Sequence, residues 1–231
     1  MPRTHYHVSI TPTGGGPLGA SPPGPAYAEV YPVALRDGRR LNLPIQPLPG
    51  DREAIALLMS NQTPFAVEAE LAAALTSLAA EFDADAIAGI PTLGLDYARL
   101  VARALGFPDY VALGNSRKFW YSDDLSVPVH SVTSPGANKR LYLDPMLVER
   151  VAGKRILVVD DVINTGGSAA AAIELLQKAG AVVIGLAVIL IEGDAWKATL
   201  GAIAPDWPER VQGLGYIPMF KRTAAGWVPA V

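Results

Sequence analysis

Residues 156–168 read ILVVDDVINTGGS, and this stretch decides the fold. Ile156, Leu157, Val158 and Val159 are apolar without alternation, the pattern of a strand buried on both faces of a parallel sheet, so a strand is expected over residues 156–160. Residues 168–179, rich in alanine and leucine, predict a helix that Gly180 stops. Asn164, Thr165, Gly166, Gly167 and Ser168 therefore join a buried strand to a helix start, at the carboxyl edge of the sheet.

Working outward, the same alternation repeats. Residues 181–190 predict the next strand, and upstream residues 86–90 and 110–113 predict two more. Between those two lie a loop, Pro91-Thr92-Leu93-Gly94, and a helix on which Ala98, Val101 and Leu105 share a face before Gly106 and Pro108 end it. Val67, Leu71, Leu75, Leu78 and Phe82 recur at helical spacing through residues 65–82, with Thr63-Pro64 as the start. The expected fold is α/β: a doubly wound, mainly parallel sheet with helices on both faces. Residues 1–50, rich in proline and glycine, read as an N-terminal extension with a β-hairpin turned at Asp37-Gly38. Residues 51–231 read as the α/β domain. Within it, residues 114–144 mix charged, aromatic and turn residues without a helical period, and predict a mobile excursion plus a hairpin.

Composition narrows the function. The chain has 231 residues, 50% hydrophobic and 18% charged, enough to bury one substantial core. A formal net charge of −3 argues against a large basic surface for duplex nucleic acid. The longest apolar run, residues 181–191, is interrupted by Gly185 and falls short of the roughly twenty residues a spanning helix needs, so no membrane partner is expected. The first ten residues lack a secretory pattern, which with zero cysteines predicts a cytoplasmic protein without disulfides or thiol chemistry. His5, His7 and His130 have no grouped partners and predict no histidine metal site.

Two glycine motifs compete for a phosphate role. Residues 14–19, GGGPLG, match a dinucleotide fingerprint, but Pro17, Pro22, Pro23 and Pro25 forbid the helix that such a loop must open, so they read as a loop. Asn164 to Ser168 has the missing context. There the glycines bring backbone amides close to a ligand, the helix start adds partial positive charge, and the Thr165 and Ser168 hydroxyls can donate. Asp160 and Asp161 would repel a phosphate placed over them. They suit hydroxyl donors a few ångströms away, or Mg²⁺ held through water. A ribose 5-phosphate moiety meets that description. Taken singly, an Asp pair opens a turn and Thr-Gly-Gly-Ser caps a helix; the combination at one junction is what points to a site. An acidic pair after ILVV also occurs in phospho-acceptor receiver domains, but there it ends the first strand of the domain and does not run into a glycine loop.

At these residues the sequence resembles the 5-phosphoribosyl 1-pyrophosphate (PRPP) motif of type I phosphoribosyltransferases, and over residues 52–195 it looks nearest to the adenine and xanthine branch. The resemblance implies that Asp160 and Asp161 bind the ribose hydroxyls and share in holding Mg²⁺. It implies that Asn164, Thr165, Gly166, Gly167 and Ser168 bind the 5′-phosphate, and that Pro91, Thr92, Leu93 and Gly94 form the pyrophosphate loop. Arg117 and Lys118 match a pair that reaches the pyrophosphate, and with Asp161 they are the expected catalytic residues. Lys139 and Arg140 lie in the part that corresponds to the flexible loop or its returning strand, and residues 205–231 in a C-terminal segment that returns to a hood over the base. The implied reaction is transfer of the phosphoribosyl group from PRPP to a nucleobase, a purine by branch, in a homodimer. Thr92 and Leu93 stand where many relatives carry a cation, and residues 131–136, SVTSPG, lack the acid beside Tyr and Gly of adenine enzymes. A catalytically inactive PRPP-binding regulator is the alternative. Phe119, Trp120 and Tyr121 either stack on a base or pack a core or subunit interface.

Overall fold

The structure, a computed structural model, describes residues 6–12, 26–129 and 139–230. In chain order the first strands are β1 (Ser9–Thr11), β2 (Val30–Ala34), β3 (Arg40–Pro47) and β4 (Glu53–Ala56). Helix α1 (Phe65–Ala80), β5 (Ala86–Gly89), α2 (Gly94–Ala104) and β6 (Val111–Ala112) follow. A hairpin of β7 (Ser126–Pro128) and β8 (Arg140–Tyr142) leads to β9 (Arg155–Ile163), α3 (Gly167–Lys178), β10 (Val182–Glu192), α4 (Ala195–Gly201) and β11 (Val211–Ile217). Last come β12 (Phe220–Thr223) and β13 (Gly226–Pro229).

The central sheet has the order β11-β10-β9-β5-β6, and every pair in it is parallel. Counted along the chain, its strands stand fifth, fourth, third, first, second. The direction of winding therefore reverses between β5 and β9, and the loops leaving those two strands part to open a crevice at their carboxyl ends.

Both faces of the sheet are covered, which explains the unbroken apolar run of β9. Alternate residues divide between two cores. Leu157 and Val159 pack with α1, α2 and residues of the second sheet such as Leu41, Leu43 and Phe220. Ile156 and Val158 pack with Ala172, Ile173 and Leu176 of α3 and with Trp196 of α4. All four strand side chains are fully buried, a contribution of about 1.5–3 kcal/mol each before chain entropy is counted. On α1 the buried positions include Val67, Leu71, Leu75 and Leu78, the stripe that the spacing predicts.

The second sheet is antiparallel, in the order β1-β3-β4-β12-β13 with β2 also on β3. Its β2–β3 hairpin turns at Asp37-Gly38, where Gly38 takes φ 83° and the Asp37 carboxylate accepts from the Arg39 amide at 3.0 Å.

Three expectations need correcting. β9 does not end at Asp160 but runs to Ile163, because Val162 and Ile163 still pair with Leu190 and Ile191 of β10. The C-terminal segment is not all hood: β11 is the edge strand of the central sheet beside β10, and only β12 and β13 join the antiparallel sheet. That sheet also takes β4, so it reaches past residue 50. Residues 114–129 and 139–144 hold one 3-10 turn, Asp123–Leu125, and the β7–β8 hairpin. Residues 130–138 of the expected excursion, His5, His130 and the GGGPLG motif lie outside the described residues. Among those described, no helix is long and apolar enough to cross a membrane.

Candidate functional site

The crevice at the switch point is lined on one side by the end of β9 and the start of α3. Gly166 precedes the helix with φ 81°, and no side chain caps the first turn. The first amides of a helix have no partner within it, so they are open to water or to a ligand. Asp160, Asn164, Thr165, Gly166, Gly167 and Ser168 are among the residues around a cleft of about 190 Å³.

Asp160 and Asp161 leave β9 on alternate sides, as adjacent strand residues do, but their carboxyls come within hydrogen-bonding reach of each other. Asp160 accepts from the Asp161 amide at 2.9 Å and Asp161 from the Val162 amide at 2.8 Å. Burial, and then the charge of Asp161, hold Asp160 well above the ordinary carboxylate range. Burial also raises Asp161, against the pull of its hydrogen bonds. The pair is thus short of donors, and a ligand bringing hydroxyl groups or a cation would favour its ionised form. On the Asp161 side stand Tyr6 and Tyr97, whose hydroxyls are raised mainly by burial with a smaller push from the Asp161 charge. The Tyr6 hydroxyl accepts from the Met59 amide at 2.7 Å, which ties the N-terminal segment to this region.

The other side of the crevice is Pro91-Thr92-Leu93-Gly94, with a cis peptide between Pro91 and Thr92. Gly94 opens α2 so close to β9 that a β-carbon there would lie 2.8 Å from the Asp160 Cα. The buried Ser60 hydroxyl donates to the Leu93 carbonyl at 2.9 Å, and the Asn115 amide donates to the Thr92 hydroxyl at 3.2 Å.

The expected cations are placed less centrally. Arg117 is exposed and pairs with the exposed Asp123 at 3.2 Å. Lys118 and Lys139 are exposed. The Arg140 guanidinium donates to the Ser126 hydroxyl at 2.7 and 3.2 Å, so it braces the β7–β8 hairpin. Phe119, Trp120 and Tyr121 stack edge-on in sequence, Tyr121 also meets Tyr142, and the Trp120 indole donates to Asp144 at 3.0 Å.

Sequence reasoning missed the support behind the glycine loop. Glu192, at the end of β10, accepts from the Asn164 side chain at 2.6 Å. The Thr199 hydroxyl of α4 donates to the Thr165 carbonyl at 2.7 Å, and a β-carbon on Gly166 would lie 3.2 Å from the Trp196 Cα. Three consecutive loop residues are thus held from behind by one segment. A lone Glu, Trp and Thr after a strand carry no spacing signal. Ser60 and Asn115 carry none either.

Comparison with known proteins gives the following. The family model described as "Phosphoribosyl transferase domain" matches residues 61–216. A hypoxanthine/guanine phosphoribosyltransferase of Ferroglobus placidus is 30% identical over 115 residues, 50% of this chain and 57% of that protein. One from Methanocella paludicola is 33% identical over 119 residues, 52% of this chain and 58% of its own. The chain thus spans a little over half the length of these relatives. An adenine phosphoribosyltransferase of Kineococcus radiotolerans is 67% identical over 39 residues, 17% of this chain and 21% of that one. Among solved structures, adenine phosphoribosyltransferase from Saccharomyces cerevisiae, complexed with adenine and an imino-altritol bisphosphate, is similar with TM-score 0.56 at 22% identity, covering 74% of this chain and 93% of that chain. The Giardia lamblia enzyme complexed with 9-deazaadenine gives TM-score 0.53 at 20% identity, covering 70% and 93%. At these identities the likeness is one of fold: the parallel sheet with its crevice.

Proposed function

Because the chain belongs to the phosphoribosyl transferase domain family, we propose that it transfers the 5-phosphoribosyl group of PRPP to a purine base, releasing pyrophosphate and a nucleoside 5′-monophosphate. The observation that carries this reading is the meeting of two loops at the switch point, where Gly94 abuts Asp160 beside the uncapped start of α3. In this reading Asn164, Thr165, Gly166, Gly167 and Ser168 bind the 5′-phosphate through amides and hydroxyls. Asp160 and Asp161 take the ribose hydroxyls, Asp161 holding the sugar as positive charge develops on it. Pro91, Thr92, Leu93 and Gly94 receive the pyrophosphate, with Arg117, Lys118, Lys139 and Arg140 as the cations that approach it. A base nitrogen attacks C1 as pyrophosphate leaves, and the protein contributes positioning and exclusion of water. The purine class rests on relatives named for adenine and for hypoxanthine/guanine. The same reading carries the expectation of a cytoplasmic homodimer.

Mg²⁺ supplies neutralisation of the leaving pyrophosphate when bound. The residues fit such an ion: the acid pair is disfavoured as anions by burial, and no three acids or histidines are grouped as a metal cage among the described residues. An ion held mostly by substrate oxygens and water suits that set.

One observation favours a second reading, a PRPP-binding regulator without turnover. Thr92 and Leu93 bring no charge to the pyrophosphate loop, and Arg117 and Arg140 are engaged by Asp123 and Ser126. Incubation with PRPP, Mg²⁺ and a panel of nucleobases, following pyrophosphate release, separates the two. Turnover on a purine supports the enzyme; tight PRPP binding with no turnover on any base supports the regulator.

A further inference from the structure

Glu192 is a buried acid that the proposed reaction does not use. It is 6% exposed, one carboxylate oxygen accepts from the Asn164 side chain at 2.6 Å, and the other is buried without a hydrogen-bond partner among the described residues. Its place follows from the ladder. Glu192 stands opposite Ile217 of β11, so the two side chains share a face, and Ile217 packs in the core between the two sheets. An ionised carboxylate there lacks the donors that would stabilise it.

Among the described residues its neighbours offer no cation in compensation. At the same end of the sheet β9 brings Asp160 and Asp161, and β11 brings the exposed Tyr216. On α4, Lys197 pairs with Asp194 at 2.5 Å. The nearest charge along α3 is Glu174, in its second half, and α1 begins with Glu68 as its first acid. Residues 207–210 precede β11 and so lie at the opposite end of a parallel sheet. Burial raises the Glu192 carboxyl to about 7, opposed only by the hydrogen bond from Asn164.

We propose that Glu192 is a positioning residue for the glycine loop, holding Asn164 through a carboxyl that takes up a proton when the loop receives an anion. The inference rests on reading residues 164–168 as an anion site. Two negative charges, one on the ligand and one on Glu192, would flank the same short loop; a neutral carboxyl removes that repulsion and still accepts from Asn164. Trp196 and Thr199 hold the next two loop residues from the same side, so Asn164 has little freedom to turn away.

The test uses sulfate, whose charge is constant over the range, as the probe on the full chain at fixed ionic strength. Affinity for sulfate is measured by calorimetry from pH 6 to 8.5. The expected result is a fall of about tenfold, centred near neutrality, matching a shift of about one unit in the acid on binding. Glu192→Gln, which stays neutral and keeps an acceptor for Asn164, should hold the acid-side affinity across the range. Asp160→Asn should leave the Glu192 contribution in place, which separates it from titration of the acid pair. Glu192→Ala removes the acceptor and should weaken sulfate binding at every pH; if it does not fold, the Gln variant alone decides. A pH dependence in Glu192→Gln equal to that of the unaltered protein overturns the inference and leaves the anion site standing. Absence of sulfate and PRPP binding at every pH overturns the anion site, and the inference with it.

Discussion

Gly94 and Asp160 are in contact across the switch point: a β-carbon on Gly94 would stand 2.8 Å from the Asp160 Cα and closer still to its carboxylate. The loop after β5 and the acid on β9 therefore form one rigid corner. Gly94→Ala should cost about 1–3 kcal/mol, as overpacking does, and displace Asp160. Chemical denaturation with and without PRPP checks this. A variant as stable as the parent, with the same PRPP affinity, would show that the corner has slack.

Burial raises both acids of the pair above their ordinary range. The sign is then fixed: ionising them costs stability, and the loss grows as pH rises from the ordinary carboxylate range through the raised values. Asp160→Asn should raise the melting temperature at neutral pH, while Asp161→Asn should weaken PRPP binding at least tenfold with the fold intact. Circular dichroism melts and PRPP titrations read the two effects separately. Unchanged PRPP affinity in Asp161→Asn would contradict the role assigned to it.

What was legible in the sequence was whatever local chemistry decides. The run from Ile156 to Val159, the glycine pair and the alanine-rich helix each constrain their own backbone, so the strand, loop and helix fall where expected. The end of β9 did not, because the pairing of Val162 and Ile163 is settled by β10 and not by their own types. β11 was read as part of a hood for a related reason. A β-carbon on Gly213 would lie 2.8 Å from Ile191, and one on Gly215 2.7 Å from Val33. Gly215 lets the two sheets approach and Gly213 makes room for Ile191 of the neighbouring strand, and both erase the apolar signature of a strand. Ser60, Asn115, Glu192 and Thr199 act through partners 23 to 34 positions away, and no period in the chain announces them.

Arg117 and Arg140 are both expected near the pyrophosphate, yet their surroundings differ. Arg117 pairs with the exposed Asp123, so Arg117→Ala should change stability by less than about 0.5 kcal/mol while lowering turnover. Arg140 bridges to Ser126 across the β7–β8 pair, so Arg140→Ala should cost about 1 kcal/mol in addition. Steady-state rates beside denaturant midpoints distinguish them. A destabilised Arg117→Ala would mean that its pairing with Asp123 is structural.

Glu192 gives the clearest pH window. Its carboxyl is raised from 4.5 to about 7, chiefly by burial. Between those values the folded protein holds a proton that the unfolded chain has released, so the stability owed to this group is complete below about pH 4.5 and drains away as pH rises through 7. A shift of this size corresponds to roughly 3 kcal/mol at pH 8. Glu192→Gln removes the titration, and its stability should fall less steeply from pH 5 to 8 than that of the parent, by about that amount. Urea denaturation at half-unit steps would read the slope. Parallel curves would mean that the folded state admits water or a donor to the second carboxylate oxygen, and that burial alone does not govern this acid.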